Sequence, residues 1–504
     1  MKCRHIDRTD DIGKACGCGV GKSGCTNCGL CETCGEDFDL CYEPFMSPDD
    51  IVAFFENVAL SRPDAYDNLS HLKYIGEACD VPIIFISAKL NNRFDQNFPR
   101  ICADSRTGRC FFQQLIDTNM ITYDNNVPPH DLRVVVTGSE DIPFNRYQGS
   151  PALNVLIVSP GLLFIEAHTY SSCEKLRVVA LPDNIELLGK SSFEGCKQLQ
   201  RIVIRSGLKK IDDCAFSQCV HLREVILPNG VEIIGNEAFR GCQSLRHVTI
   251  GSGLQIVGRQ AFEKCVKLKE IYLPHGLQGI GVAAFRDCNM LTTVTLRNAA
   301  CVSDFAFSRC SSLASIVLPE EIEGIGQFAF SVCTSLEMIS VGSRLQFIGR
   351  NAFEKCSTLQ GIYFPEGFES VGSSAFLECS ALQTVQFGYG LQSIGPYAFA
   401  DCVALAAIQL PLSVEMIGRN AFCRCSNIES VHVTSQQPSQ GELTIEQHRL
   451  RGIGQEAFLG CAKLREVVLP AGVEKVGKDA FLHCHESLVI PKGMVRPDSK
   501  CIVT

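Results

Sequence analysis

The sequence predicts a repeat solenoid, α/β leaning to β, wound from coils of about 23 residues and preceded by an α+β region. Three observations carry that expectation. The stretch from Leu222 to Cys242 recurs along most of the chain. Its Phe239 has equivalents at Phe193, Phe216, Phe262, Phe285, Phe307, Phe330, Phe353, Phe376, Phe399, Phe422, Phe458 and Phe481, with a degenerate Tyr170 in front. Three residues after each aromatic stands a cysteine, from Cys173 to Cys484. The step is 23 residues, except for a short one from Phe285 to Phe307 and a long one from Phe422 to Phe458.

Within the unit, Leu222, Val225 and Leu227 are spaced as a strand entered from a corner, with Glu224 and Ile226 on its other face. Pro228 ends the strand, and Val231, Ile233 and Ile234 supply a second short apolar stretch. Gly235 closes it and is expected to turn at positive φ. Ala238, Phe239 and Cys242 then suit a single helical turn that buries its aromatic. One such coil has no partner for its apolar edge, so stability must come from stacked neighbours. Prolines end the strand in every second repeat, at Pro182, Pro228, Pro274, Pro319, Pro365 and Pro411. The repeats between them turn on Ser206-Gly207, Ser252-Gly253 or Gly388-Tyr389-Gly390. The alternation implies duplication of a two-coil unit and says nothing of activity.

The pattern Leu-x-x-Ile-x-Leu-Pro followed by Ile-Gly-x-x-Ala-Phe-x-x-Cys resembles the BspA-like leucine-rich repeats, over roughly residues 150 to 495. That resemblance implies a right-handed solenoid with a parallel sheet on its concave face. It also implies binding of proteins or surfaces, often at the cell surface, in place of catalysis.

With 504 residues, 46% hydrophobic and 20% charged, the chain has the material for a large core. A net charge of −9 argues against nucleic acid, which would want a basic face. No apolar run is long enough to span a bilayer, and the first thirty residues lack the apolar core of a secretory signal, so a cytoplasmic location is expected. Fourteen of the 29 cysteines occupy the slot after the aromatic, where a free thiol is expected to serve as a small buried hydrophobe and to favour a reducing compartment, with bridging between adjacent coils as the alternative.

Three regions are expected: residues 1–42, residues 43–130 and the solenoid over 131–504. The first holds Cys16, Cys18, Cys25, Cys28, Cys31 and Cys34 among Gly, Asp and Thr, with almost no apolar residues. Paired Cys-x-x-Cys knuckles suit tetrahedral zinc; disulfides, an iron–sulfur cluster or disorder are the alternatives. Gly19-Val-Gly-Lys22-Ser23 lacks the first glycine and the feeding strand of a phosphate loop and is read as a spacer. From Ser47-Pro48-Asp49-Asp50 the second region opens on a helix, with a strand from Val81 to Ile86 and a further helix from Cys110 to Asp117. Its expected task is to cover the edge of the first coil. Leu132–Val136 and Leu153–Val158 read as worn first strands of the solenoid. Between Val433 and Gly452 lie 13 surplus residues, a polar loop that is either a binding edge or a tolerated insertion.

Binding is expected on the outward positions of the longer strands, which form two columns. One runs from Ala180 through Thr249, Tyr272, Thr295, Tyr363, Gln386 and Gln409 to His432, and the other includes Arg201, Glu224 and His247. The first is nearly uncharged and carries two tyrosines, a composition suited to a protein or glycan surface, although strands favour such residues anyway. His483 and His485 flank Cys484, which is the repeat's own core cysteine, and no nucleophile or carboxylate pair recurs. The sequence therefore favours a non-enzymatic scaffold that binds a protein partner. A surface adhesin or antigen is the rival, and a redox or metal-binding protein using the N-terminal cysteines is a third reading.

Overall fold

The computed structural model describes residues 145–490, apart from 146, 152, 159–161, 298, 435–448 and 471–472. It also gives the backbone of three short strands outside that span. The chain forms two compact units, Met1–Lys209 with Cys219–Pro228 and Lys210–Gln218 with Asn229–Thr504. The helices expected from Ser47 and Cys110 lie outside the described residues.

Both units are stacks of coils, each coil giving one longer and one two-residue strand, and every pairing is parallel. In the first unit the longer strands run Ile83–Ile86, Val134–Thr137, Val155–Val158, Val178–Ala180, Arg201–Val203 and Glu224–Leu227, each beside the next. The worn strands are thus part of the array, and Ile83–Ile86 adds a strand at its edge. In the second unit the longer strands run from His247–Ile250 to Thr384–Gln386, and a further sheet starts at Ala407–Pro411. The two-residue strands make a ladder of their own. It is interrupted between Gly279–Ile280 and Cys301–Val302, in the coil that is one residue short.

The repeated apolar positions are the core. In the second unit, rings stack from Phe216 to Phe481 with neighbouring centroids 5.1 to 5.5 Å apart, nearly parallel because each ring occupies the same place in the next coil. Strand pitch sets this offset stacking, which adds to the gain from burying the rings. In the first unit the column is Tyr147, Tyr170 and Phe193. It thus begins one coil before Tyr170, the first aromatic that the repeat pattern picks out. Where the cysteine slot would fall for Tyr147, the chain carries a buried Ser150.

The expected helical turn is not formed, and no helix occurs among the described residues. Around Phe239, the N–H groups of Glu237, Phe239 and Gly241 donate to the carbonyls of Arg259, Ala261 and Glu263 of the next coil, each at 2.8 Å. Only the intervening N–H groups, of Ala238, Arg240 and Cys242, bond within the coil, three residues back. Glu237 and Gly241 take left-handed conformations, at φ 55° and 72°, which alternate the direction of the N–H groups. A helix would keep all these bonds to itself; this arc spends half of them on its neighbour, joining coils at a third edge besides the two strands.

Gly235 is likewise corrected: its φ is not positive, and its role is close approach. A Cβ there would come within 2.6 Å of Asp212 and Asp213 backbone atoms, and one on Gly349 within 2.7 Å of Gly326. The Pro/Gly alternation also has a physical cause beyond history. A Cβ on Gly253, Gly342 or Gly388 would overlap the carbonyl of Asn229, Pro319 or Pro365 in the preceding, proline-bearing coil. The carbonyl of the strand-ending proline, or of the residue after it, occupies the space that the next coil's glycine leaves empty.

The cysteine slot carries more than packing. Cys265 Sγ donates to the carbonyl of Phe239 at 3.2 Å, and the same bond recurs up to Cys484 on Phe458. Each such carbonyl accepts one N–H within its coil and one S–H from the next. Burial pushes the thiols of Cys265, Cys310, Cys333, Cys356 and Cys402 up, Cys333 to about 12, so these stay protonated and unreactive at neutral pH.

Candidate recognition face

Inward positions of the longer strands are filled by the core, so their outward positions form two columns at strand spacing. Register fixes the neighbours: Glu270 pairs with Thr293 and Tyr272 with Thr295, Met338 with Gly361, and Tyr363 with Gln386. In the second unit, His247, Thr249, Tyr272, Tyr363, Gln386 and Gln409 are exposed, while Thr295 and His432 are half-buried. In the first unit, Ala180 is buried, and Glu224 is half-buried and pairs with Arg201 at 2.9 Å. The structure thus brings the second unit's predicted residues onto one surface. Cys16, Cys18, Cys25, Cys28, Cys31 and Cys34 lie outside the described residues.

The surface is uneven in charge. At one end Glu270 accepts from the Tyr272 hydroxyl at 3.0 Å and lies 3.9 Å from His247; the carboxylate holds that phenol above its ordinary pKa. At the other end His432 lies 3.5 Å from Glu466. Between them, from Thr293 to Ser430, neither column carries a charged residue. Large apolar side chains stand in water instead: Val317 and Met338 are each 66% exposed and Tyr363 60%. Sequence reasoning singled out the tyrosines and polar residues and passed over Val317 and Met338. Their place in the columns was the available signal, but their type alone reads as ordinary strand composition.

Cys484, flanked by His483 and His485, donates its thiol to the Phe458 carbonyl at 3.3 Å, the same bond that the other slot cysteines make. Among the described residues, no group of three or more His, Cys, Asp or Glu is placed to hold a metal ion. Nor is any helix there long and apolar enough to cross a membrane.

A fixed period, parallel strands and a buried Leu/Ile/Phe column define a leucine-rich repeat protein. The chain belongs to the BspA type leucine-rich repeat family, matched in six overlapping copies over residues 140–269, 209–325, 255–375, 301–429, 346–484 and 435–501. Among solved structures it is similar to a leucine-rich repeat protein of Bacteroides ovatus. The two are 25% identical over 67% of this chain and 87% of that chain, with a TM-score of 0.50. It is also similar to a leucine-rich cell surface protein of Faecalibacterium prausnitzii, at 22% identity over 61% of this chain and 87% of that one, TM-score 0.36. The pneumococcal vaccine antigen PcpA is 21% identical over 60% of this chain and 75% of its own, TM-score 0.39. No curated protein matches this chain.

Proposed function

We propose that this protein is a non-enzymatic interaction scaffold that holds a protein partner on the longer-strand face of its second unit. The observation that supports this reading is the uncharged stretch between the His247–Glu270 and His432–Glu466 pairs, with Val317, Met338 and Tyr363 exposed along it. Interface cores are depleted of charge and enriched in Tyr and Met, since stripping water from such groups costs little. Affinity capture from the source cell with wild type and with Tyr272→Ala/Tyr363→Ala is the test. The double variant should lose its main partner, and an unchanged set of partners would remove this face from the proposal.

The protein's setting is reducing on this reading, because the slot thiols donate to backbone carbonyls of the preceding coil, as Cys265 does to Phe239 and Cys356 to Phe330. Zinc at Cys16, Cys18, Cys25, Cys28, Cys31 and Cys34 completes it, resting on the spacing of those residues. Peptide-level thiol mapping of native protein should find the slot cysteines unlabelled until the chain is unfolded, with Cys301, which is exposed, labelled at once. The same preparation should contain zinc that disappears when residues 1–42 are removed. Bridged slot cysteines would favour the surface-adhesin reading instead, and a metal-free, bridged N-terminal segment would refute zinc.

A further inference from the structure

Gly361 interrupts the outward column between Met338 and Thr384. Its φ is not positive, so the backbone does not require glycine there. A Cβ at this position would meet only Thr384, its carbonyl oxygen at 3.4 Å and its Cβ at 3.8 Å, and otherwise open space. The position is therefore a notch, floored by backbone and bordered by Met338, Thr384 and, two residues along the same strand, Tyr363.

The two-residue strands show what happens to such a gap when nothing needs it. There the ring of Phe347 lies in the space beside Gly324, and the Met416 sulfur comes within 3.1 Å of where a Gly452 Cβ would stand. Gly279, at the interrupted end of its sheet, is open but has a paired strand on one side only. Beside Gly361, Met338 is long enough to fold over the gap, as Met416 does, yet it stands two-thirds exposed. A flexible thioether and a tyrosine left upright around an empty position on an uncharged strip form a socket for one intruding side chain.

We infer that this notch receives a single aliphatic or aromatic side chain from an uncharged peptide segment of the protein partner, anchoring it on the strip. This rests on the face proposed above. The absence of charge from both outward columns between Thr293 and Ser430 selects the partner's chemistry: a charged segment would be desolvated there with nothing in the columns to pair with. A glycan fits less well, since Val317 and Met338 offer its hydroxyls no hydrogen-bonding partner.

The experiment is selection of a phage-displayed random peptide library on the full chain. Binders are then measured on Gly361→Thr, on Met338→Ala and on the face variant Tyr272→Arg/Val317→Arg. Threonine occupies the same column at positions 293 and 384, so Gly361→Thr should fold, as an unchanged melting curve would verify. Selected peptides should share one apolar residue within an uncharged stretch and bind Gly361→Thr about thirtyfold more weakly, the size of a buried anchor's effect. Peptides that lose binding to the face variant but ignore Gly361→Thr would overturn the socket and leave the face standing. Peptides indifferent to both, or displaced by neutral oligosaccharides, would overturn the two together.

Discussion

Phe330→Ala is expected to cost about 3 to 5 kcal/mol of stability. The ring is fully buried and stacks on Phe307 at 5.5 Å and Phe353 at 5.2 Å, so its removal leaves a void lined by two rings that backbone bonds hold in place. Those bonds cannot close the gap: Phe330 N–H donates to Ala352 at 2.7 Å, and its carbonyl accepts from the Cys333 N–H and the Cys356 thiol, each at 3.2 Å. Phe330→Leu keeps much of the volume and loses the stacking, for about 1 to 1.5 kcal/mol. Because a coil touches only its neighbours, the damage should be local. Urea unfolding would measure the loss, and hydrogen exchange should show faster opening around Phe307, Phe330 and Phe353, with distant coils unchanged. A cost under about 1 kcal/mol for the alanine variant would mean that the ring column is not the core.

The second large effect is expected from one added methyl group. Gly342→Ala places its Cβ on the Pro319 carbonyl and within 2.7 Å of Glu320 Cα, both backbone, in coils whose spacing is fixed by strand pairs on either side. Neither atom can rotate away, as a side chain would, so the variant should lose about 3 kcal/mol. Gly279→Ala is the control, since nothing lies within 4 Å of its added Cβ; it should change stability by no more than about 0.5 kcal/mol. Matched denaturation curves decide the matter. Equal effects at the two glycines would show that coil spacing is soft, and the account of the Pro/Gly alternation would fail with it.

These two variants mark where sequence reasoning was sufficient and where it was not. The buried aromatic was legible because burial in a repeat follows from recurrence: a Phe returning every 23 residues must meet the same surroundings each time. The glycines were legible as important but not for the right reason. Positive φ is the usual demand on a lone glycine, yet the left-handed residues here are Glu237 and Gly241, beyond Gly235 in the turn. Likewise Ala238, Phe239 and Cys242 have helical spacing, yet their arc donates alternate N–H groups to the next coil, and spacing within one coil carries no trace of that neighbour.

The candidate face divides in the same way. The strand pattern placed Tyr272, Tyr363 and their column neighbours on one surface, because alternation along a strand fixes which residues point outward. It could not show that Met338 stays upright beside Gly361 while Met416 folds over Gly452, two Met–Gly neighbours treated in opposite ways by their surroundings. What the amino-acid order determined by itself was the coil: its period, its buried column and its outward rows, all consequences of periodic hydrophobicity. What only the stacked structure decided was everything passed between coils, from the thiol that completes a neighbour's carbonyl to the gap a proline-bearing turn requires. Those are contacts between residues one whole winding apart, and their geometry exists only once the windings lie on one another.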